Sequence, residues 1–474
     1  MRILILFLFS FICTVSNAQL ATVTPEQMRE DLDYLNKYLK KWHPTYYAYT
    51  KKGEMNAFYS RLKDSCTTEI TASAFRATIR KAVNQVHCGH MGAFGFKGAK
   101  RAKPFDSLRL FPLKLWVLDN RLFIKTRLQK DSILAIGDEI LAINGKNARE
   151  LIAETSELAV TDALNTTHKM YSLEVNFHVY HYFLYGEFDN YALTIKNKLG
   201  LISDVNIKGV PEKVAFKAEK IKTDSANCVI KGNAVALYKT DFDSTTMIVD
   251  IDNFNGARQG VTFRKIFKYL RVNKTKNLII DLRDNGGGNV FKGNKLLTYL
   301  LDQVILPMVI SRKPNLTMLN PRFKGGLLER TAPLFFMLNP LQYPNKNGWN
   351  HCFLFFKKYR NHFDGNVYVM TNGATFSMAS YVATYLKYKK QAVIVGEETG
   401  GSEYASRGMA SGRIKLPNSE IKVQLNVYQL RHLIGIEDTK HGLMPNHAIN
   451  YSIEDKMGNK DLEMEKIQSL INHY

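Results

Sequence analysis

The chain has 474 residues, of which 45% are hydrophobic and 11% aromatic. This length exceeds what a single hydrophobic core usually supports, and the apolar content excludes an intrinsically disordered chain. The formal net charge of +22 comes from basic residues spread along the sequence. We find neither a concentrated basic patch nor a nucleic-acid-reader motif, so we expect several folded domains and no nucleic-acid partner.

The first residues have the features of an export signal. Arg2 is followed by an apolar run over residues 3–15 and by small residues before Gln19. We therefore predict a signal peptide over residues 1–18 and a protein that is periplasmic or extracellular. No later run is apolar enough to predict a membrane span. Four cysteines follow the signal peptide, which is too few for a disulfide scaffold, and whether one bridge forms is left open.

Residues 19–103 are predicted to form an N-terminal helical domain. Thr24, Pro25 and Gln27 have the spacing of a capped helix start, and apolar residues then recur at helical intervals. A second helix over residues 72–86 leads into a loop that carries His90. His87, Cys88 and His90 could be metal ligands, but we predict no metal site because the sequence shows no fourth ligand cluster.

Residues 104–212 are richer in strand signals. Residues 111–118 and 121–125 are predicted strands, separated by Asp119 and Asn120 at a hairpin turn. Residues 136–146 resemble the second half of a PDZ domain, in which a Gly-Asp turn precedes a strand that ends in Ile-Asn-Gly. An ordinary turn between two strands is the alternative. The resemblance implies a domain that binds an extended peptide as an added strand.

Residues 213–474 alternate strand and helix signals, which predicts an α/β layer structure. A strand over residues 277–282 runs into Gly286, Gly287 and Gly288, which suit a backbone that must approach another group closely. Ser377 lies between an apolar run and a helical pattern, where free N–H groups and the helix dipole would stabilise an oxyanion. This pattern predicts a nucleophile, whereas a simple helix cap is the alternative for the serine.

Three segments, in this order, resemble the tail-specific, or C-terminal-processing, serine peptidases. They are Asp-Leu-Arg-Asp-Asn-Gly-Gly-Gly (281–288), Thr-Phe-Ser-Met-Ala (375–379) and Val-Gly-Glu-Glu-Thr-Gly-Gly (395–401). The resemblance implies a crotonase-like α/β peptidase domain over residues 213–474, beside the PDZ-like and helical domains. It also implies Ser377 as the nucleophile.

Two versions of this chemistry exist in the family. The lysine base of one version is absent after residue 401, so the resemblance favours the type similar to the tricorn core, with His90 as the general base. Cysteine stands at position 88, where that type usually has aspartate. The acidic partner is then Glu437 or Asp438, with Glu437 favoured, and His441 is the rival base.

The resemblance further implies that the backbone N–H groups of Gly287 or Gly288 and of Met378 form the oxyanion hole. We thus predict a secreted serine endopeptidase that needs no cofactor and takes a polypeptide. Binding of that polypeptide by its C-terminus is an option that the sequence leaves open. The alternative function is a non-catalytic protein that binds a peptide or an apolar ligand on the same scaffold. Substrate preference and oligomeric state do not follow from the sequence.

Overall fold

The computed structural model describes residues 21–96, 109–128, 134–215, 227–302, 309–310, 342–345, 348–351, 361–408, 411–432 and 434–473. The predicted signal peptide and Cys352 lie outside these ranges. Within them, Cys66, Cys88 and Cys228 are free thiols. None of the helices in the described ranges has the length and apolarity needed to cross a membrane.

The front of the chain is helical, as the sequence predicts. It contains helices α1 (Pro25–Trp42), α2 (Lys52–Asp64) and α3 (Ala72–Asn84) and strands β1 (Thr22–Val23), β2 (Ile70–Thr71) and β3 (Gly92–Phe94). Thr24 and Gln27 form the predicted capping box at the start of α1, and Pro25 occupies its first turn. The apolar face of α1 is buried, which fixes the helix against its neighbours.

The second part of the chain is an antiparallel sheet with helices packed against it. Its elements are β4 (Arg109–Leu110), β5 (Leu113–Leu118), β6 (Arg121–Arg127), β7 (Glu139–Ile143), β8 (Lys146–Asn147), α4 (Ala148–Ser156), α5 (Thr167–Tyr185), β9 (Asn190–Lys196), β10 (Ile202–Lys208), β11 (Val210–Pro211) and α6 (Glu212–Ala215). The main sheet has the order β10-β9-β7-β6-β5. Asp119 and Asn120 both have positive φ, 48° and 56°, which confirms the predicted hairpin turn between β5 and β6.

The carboxyl group of Glu174, a partly buried residue, joins α5 to β5. Oε1 of Glu174 accepts a hydrogen bond of 2.9 Å from the Val117 N–H, and burial raises the pKa of Glu174 to about 7. Below pH of about 4.5, both the folded and the unfolded chain hold the proton. Between about pH 4.5 and 7 the unfolded chain ionises first, so the free energy of unfolding should fall as pH rises, by roughly 3 kcal/mol at most.

The Glu174→Gln variant should lack this loss of stability, since glutamine keeps the acceptor oxygen and cannot ionise. We expect the unfolding free energy of the variant, measured by urea denaturation, to exceed that of the wild type progressively as pH rises through this window. Glu150→Gln, at an exposed position on α4, is the matched control and should follow the wild type. Parallel pH profiles for the wild type and the Glu174→Gln variant would contradict the prediction.

The third part is built on a mixed sheet with the order β12-β13-β14-β15-β19-β20-β25. Its strands are β12 (Cys228–Lys231), β13 (Ala236–Lys239), β14 (Thr246–Asp250), β15 (Asn277–Asp281), β19 (Asn366–Thr371), β20 (Val393–Gly396) and β25 (His447–Ala448). The strands from β14 to β25 are parallel. The helices are α7 (Gln259–Val272), α8 (Val290–Leu297), α9 (Met378–Lys390), α10 (Ile453–Met457) and α11 (Leu462–Asn472).

The central strands of this sheet are buried on both faces. Leu278 and Ile280 face the core that contains α7, α8 and α9, whereas Ile279 faces Ile467 of α11. A parallel sheet needs cover on both faces, because its crossover helices lie there. The predicted mixed α/β class is thus confirmed, with the carboxyl ends of β15 and β19 at one edge of the sheet.

The remaining strands are short. They are β16 (Val309–Ile310), β17 (Gln342–Asn345), β18 (Gly348–His351), β21 (Ala405–Ser406), β22 (Ser411–Lys415), β23 (Lys422–Asn426) and β24 (Leu430–Arg431). Strand β3 of the helical front pairs with β23, and the front helices share one hydrophobic core with residues 414–428. The predicted helical domain therefore packs its core with residues that lie beyond its predicted boundary, and the loop after α3 is held against the C-terminal part of the chain.

Candidate active site

The loops after β15 and β19 form one side of the candidate site. These strands are parallel neighbours, with Asp281 opposite Met370, so their carboxyl ends open onto the same edge of the sheet. The loops are tied together, because the Phe376 N–H donates to the Asn285 carbonyl (2.9 Å) and the Thr375 hydroxyl donates to the Leu282 carbonyl (2.7 Å). Ligands of open α/β sheets bind at such carboxyl ends.

Ser377 immediately precedes α9 in a backbone conformation that is unusual for a residue with a side chain. Its φ is 55° and its ψ is −117°, and its hydroxyl makes no capping hydrogen bond. The alternative interpretation of the sequence, in which Ser377 serves only as a helix cap, therefore does not describe this serine. A conformation of this kind costs free energy and persists only where the surrounding contacts impose it, which is common at functional sites.

Backbone N–H groups converge beside Ser377. Gly287 has φ of 97°, and a Cβ added there would lie 2.8 Å from both the Ser377 Cβ and the Met378 nitrogen. The Gly287 N–H already donates to the Asn285 side chain (2.8 Å). Among the described residues, no acceptor is hydrogen bonded to the N–H groups of Gly288 or Met378. These two are therefore the donors still available to an anion.

His90 approaches this loop from the helical front of the molecule. Its ring lies 4.5 Å from the ring of Phe376, the residue before Ser377, and His168 stacks on the same phenylalanine at 4.8 Å. Gly408 leaves room for the His90 ring, because an added Cβ would lie 2.6 Å from it. Neither ring nitrogen of His90 is hydrogen bonded within the described part of the chain, so none of the hydrogen bonds there joins the imidazole to Ser377.

Asp162 is the carboxylate beside His90. Its Oδ2 lies 3.7 Å from His90 Nδ1, and its Oδ1 accepts a 2.8 Å hydrogen bond from the Gly89 N–H. Burial by itself would raise the pKa of Asp162. The interactions with His90, the Arg407 guanidinium and the Gly89 N–H outweigh that effect and hold the pKa of Asp162 below its usual value. A buried, ionised carboxylate therefore faces the imidazole.

Arg407 connects Asp162 to the segment in which the sequence predicts the acid. The guanidinium is fully buried; Nη1 lies 3.8 Å from Asp162 Oδ1, and Nη2 donates to the Tyr49 hydroxyl at 2.6 Å. That hydroxyl in turn donates to Asp438 at 3.3 Å. Asp438 thus touches the site through Tyr49 and Arg407, whereas the Glu437 side chain is exposed and makes no ion pair with His90 among the described residues.

The other predicted site residues lie nearby in different roles. His441, the rival base, is partly exposed, and its Nδ1 lies 3.3 Å from Oε1 of Glu398. Cys88, at the position where the family resemblance led us to expect aspartate, is buried, and burial raises the pKa of its thiol to about 12. The thiol carries no negative charge at neutral pH, so Asp162 supplies the charge that an aspartate at position 88 would provide.

The sequence interpretation did not identify Asp162, Arg407, Tyr49 or His168. None of them belongs to a motif, and Asp162 lies in a segment that precedes α5, far along the chain from both His90 and Ser377. The missing aspartate before Gly89 was the one available signal, since it implied that another carboxylate had to serve the histidine.

Residues 245–449 match the model of peptidase family S41. No match was found among curated protein sequences. Mature CPAF is similar over 94% of this chain and 97% of its own, with 15% identity and a TM-score of 0.64. Mature CPAF complexed with lactacystin is similar over 94% of this chain and 98% of its own, with 16% identity and a TM-score of 0.63. The photosystem II D1 C-terminal processing protease is similar over 90% of this chain and 94% of its own, with 13% identity and a TM-score of 0.43.

Proposed function

We propose that this chain is a serine-type peptidase of family S41, whose model matches residues 245–449, and that it cleaves polypeptides internally through Ser377, His90 and Asp162. The observation that carries the proposal is the backbone conformation of Ser377. A non-glycine residue is held at positive φ before a helix, and its hydroxyl makes no capping hydrogen bond. The N–H groups of Gly288 and Met378 nearby have no acceptor in the described ranges. This arrangement suits a nucleophile next to an oxyanion site.

In the proposed reaction, the Ser377 oxygen attacks the carbonyl carbon of the scissile peptide bond while a ring nitrogen of His90 accepts the hydroxyl proton. The carbonyl oxygen becomes negatively charged and accepts hydrogen bonds from the N–H groups of Met378 and Gly288. His90 then gives its proton to the departing amine, which leaves an acyl group on Ser377. A water molecule, deprotonated by His90, hydrolyses this ester and restores both side chains.

Asp162 takes the orienting role in this proposal, in place of Glu437. It faces Nδ1 of His90, so it favours the tautomer that keeps a lone pair on Nε2 and stabilises the imidazolium that forms during attack. His90 itself, and then Arg407 and the Gly89 N–H, hold the pKa of Asp162 below its usual value. The His90 ring has no hydrogen bond on either nitrogen among the described residues, so it has to approach Ser377 when substrate binds. Catalytic hydrogen bonds often tighten only in the enzyme–substrate complex.

The antiparallel sheet of β5 to β10 is proposed to bind the substrate chain. The Gly137–Asp138 turn and the Asn144–Gly145 turn flank β7, which matches the pattern that resembles a PDZ domain. Edge strands can bind a peptide as an added strand, and this would deliver a polypeptide to Ser377. We likewise propose that the sheet of β12 to β25 is crotonase-like and that the chain is exported, with the mature protein beginning at Gln19.

A covalent probe tests the function directly. Purified protein should react with a fluorophosphonate, and peptide mapping by mass spectrometry should place the label on Ser377. The same preparation should cut an unfolded polypeptide at internal bonds and lose that activity in proportion to labelling. A protein that binds the polypeptide but is neither labelled nor able to cleave it would be the non-catalytic binding protein predicted as the alternative.

A further inference from the structure

Cys88, His90 and Asp162 form a compact cluster of possible metal ligands. Each offers one donor atom, and the three donor atoms all lie within 4.8 Å of one another. Cys88 and Asp162 are buried, and only 12% of the His90 side chain is exposed. Sulfur, imidazole nitrogen and carboxylate oxygen together are a donor set that Zn²⁺ accepts.

Three polar atoms of this cluster lack hydrogen-bond partners within the described part of the chain: both ring nitrogens of His90 and Oδ2 of Asp162. Asp162 Oδ1 accepts from the Gly89 N–H, and the Cys88 sulfur accepts from the Asn426 side-chain amide at 3.6 Å. Buried polar atoms normally have a partner. The unpaired Oδ2 belongs to a side chain that is 1% exposed and faces His90 Nδ1 at 3.7 Å, so it points into the cluster.

We propose that Cys88, His90 and Asp162 form an inhibitory site for a thiophilic divalent cation such as Zn²⁺. Ligand atoms of a tetrahedral zinc site lie about 3.5 Å apart, given zinc–ligand bonds of about 2.0–2.3 Å. The His90–Asp162 distance already fits, and the 4.8 Å limit on the other distances leaves shifts of about 1 Å for side chains to make. The fourth position is left for water.

Binding of the cation releases the Cys88 proton to solvent and occupies a lone pair of His90. Coordination through Nδ1, the nitrogen that faces Asp162, places the ring proton on Nε2, which can then no longer accept the proton of Ser377. The cation also neutralises the negative charge of Asp162. The Arg407 guanidinium, 3.8 Å from Asp162 Oδ1, opposes binding, but thiolate and carboxylate together supply two negative charges.

The inhibition rests on the proposed role of His90 as the base, whereas the binding site does not. One other group of possible ligands occurs among the described residues: Asp302, His362 and Asp364. Its two carboxylates are 72% and 79% exposed and already lie within ion-pair distance of His362. This exposed group is the competing site that an experiment has to separate from the buried cluster.

The test uses the full chain, freed of metal with a chelator and titrated with Co²⁺ and Zn²⁺. Wild-type protein should bind one Co²⁺ with a thiolate-to-cobalt charge-transfer band, and Zn²⁺ should displace the cobalt. Zn²⁺ at the same concentrations should slow fluorophosphonate labelling of Ser377. Cys88→Ser should remove the band and weaken zinc inhibition at least about tenfold, because loss of even an outer-shell partner weakens metal binding by about 10–100-fold.

Cys228→Ser is the matched control, since Cys228 is a free thiol on β12, and it should behave as the wild type. Cys88→Ala, checked by circular dichroism, replaces Cys88→Ser if the latter fails to fold. A wild-type protein without the cobalt band overturns the site, as does binding that is lost in His362→Ala and kept in Cys88→Ser. A cobalt band without slower labelling overturns the inhibition. Metal-free protein that never reacts with the probe refutes the proposed function, while the cobalt spectrum still decides the metal site.

Discussion

Replacement of Ser377 by alanine is expected to abolish polypeptide hydrolysis, and replacement of His90 by alanine to lower kcat/KM by at least about 10⁴-fold. The serine hydroxyl is a weak nucleophile at neutral pH, so attack depends on transfer of its proton to the imidazole as the bond forms. Because the two side chains act in one step, the double variant should be no slower than Ser377→Ala alone.

Initial rates on an unfolded polypeptide and rates of fluorophosphonate labelling measure both changes. His441→Ala is the matched histidine control: its ring is partly exposed and lies beside Glu398, so this variant should retain activity close to that of the wild type. If His441→Ala loses activity and His90→Ala keeps it, the base has been assigned to the wrong histidine. Circular dichroism should show that each variant remains folded.

The second large effect concerns the carboxylate that serves His90. Asp162→Asn should lower kcat by about 10³–10⁴-fold, the size of loss seen when the acid of a serine–histidine–aspartate triad becomes an amide. The amide keeps the shape of the side chain but can no longer stabilise the imidazolium or favour the required tautomer. The kcat of Glu437→Gln should stay within a few-fold of the wild-type value, because that side chain is exposed and makes no ion pair with His90 among the described residues.

Asp162→Asn and Glu437→Gln together distinguish the acid predicted from the sequence, Glu437, from the acid that lies beside His90, Asp162. Comparison of kcat and KM separates a catalytic loss from weaker substrate binding, and a pH profile of kcat shows whether the titration of the base has changed. Asp438→Asn should lower kcat by an amount between the effects of Glu437→Gln and Asp162→Asn, since Asp438 reaches Arg407 through the Tyr49 hydroxyl. A severe loss of kcat in Glu437→Gln combined with normal rates in Asp162→Asn would contradict the assignment of Asp162.

Local signals in the sequence predicted the elements that hold the site. The Thr24–Gln27 spacing fixed the start of α1, and Asp119–Asn120 predicted a turn whose two residues do have positive φ. Such signals succeed because capping and turn chemistry involve residues only a few positions apart. The position of Ser377 before a helix was predicted in the same way, from the strand and helix patterns on either side of it.

The partners of His90 could not be predicted by the same means. Asp162 and Phe376 reach this histidine from distant stretches of the chain, and their meeting depends on β3 pairing with β23 and on the order of strands in the parallel sheet. The resemblance to a family placed the acid near Glu437 by position along the chain. The structure instead places Asp162 at His90, whereas Asp438 is connected to Asp162 through Tyr49 and Arg407.

The sequence by itself therefore determined the local elements, the α/β class and the serine that precedes α9, because periodicity, capping and turn residues act over a few positions. Only the tertiary structure decided which carboxylate lies beside the imidazole, which N–H groups remain without an acceptor, and that Cys88 is close enough to share a cation with His90 and Asp162. These outcomes depend on long-range packing and burial, which bring together residues that no spacing along the chain connects.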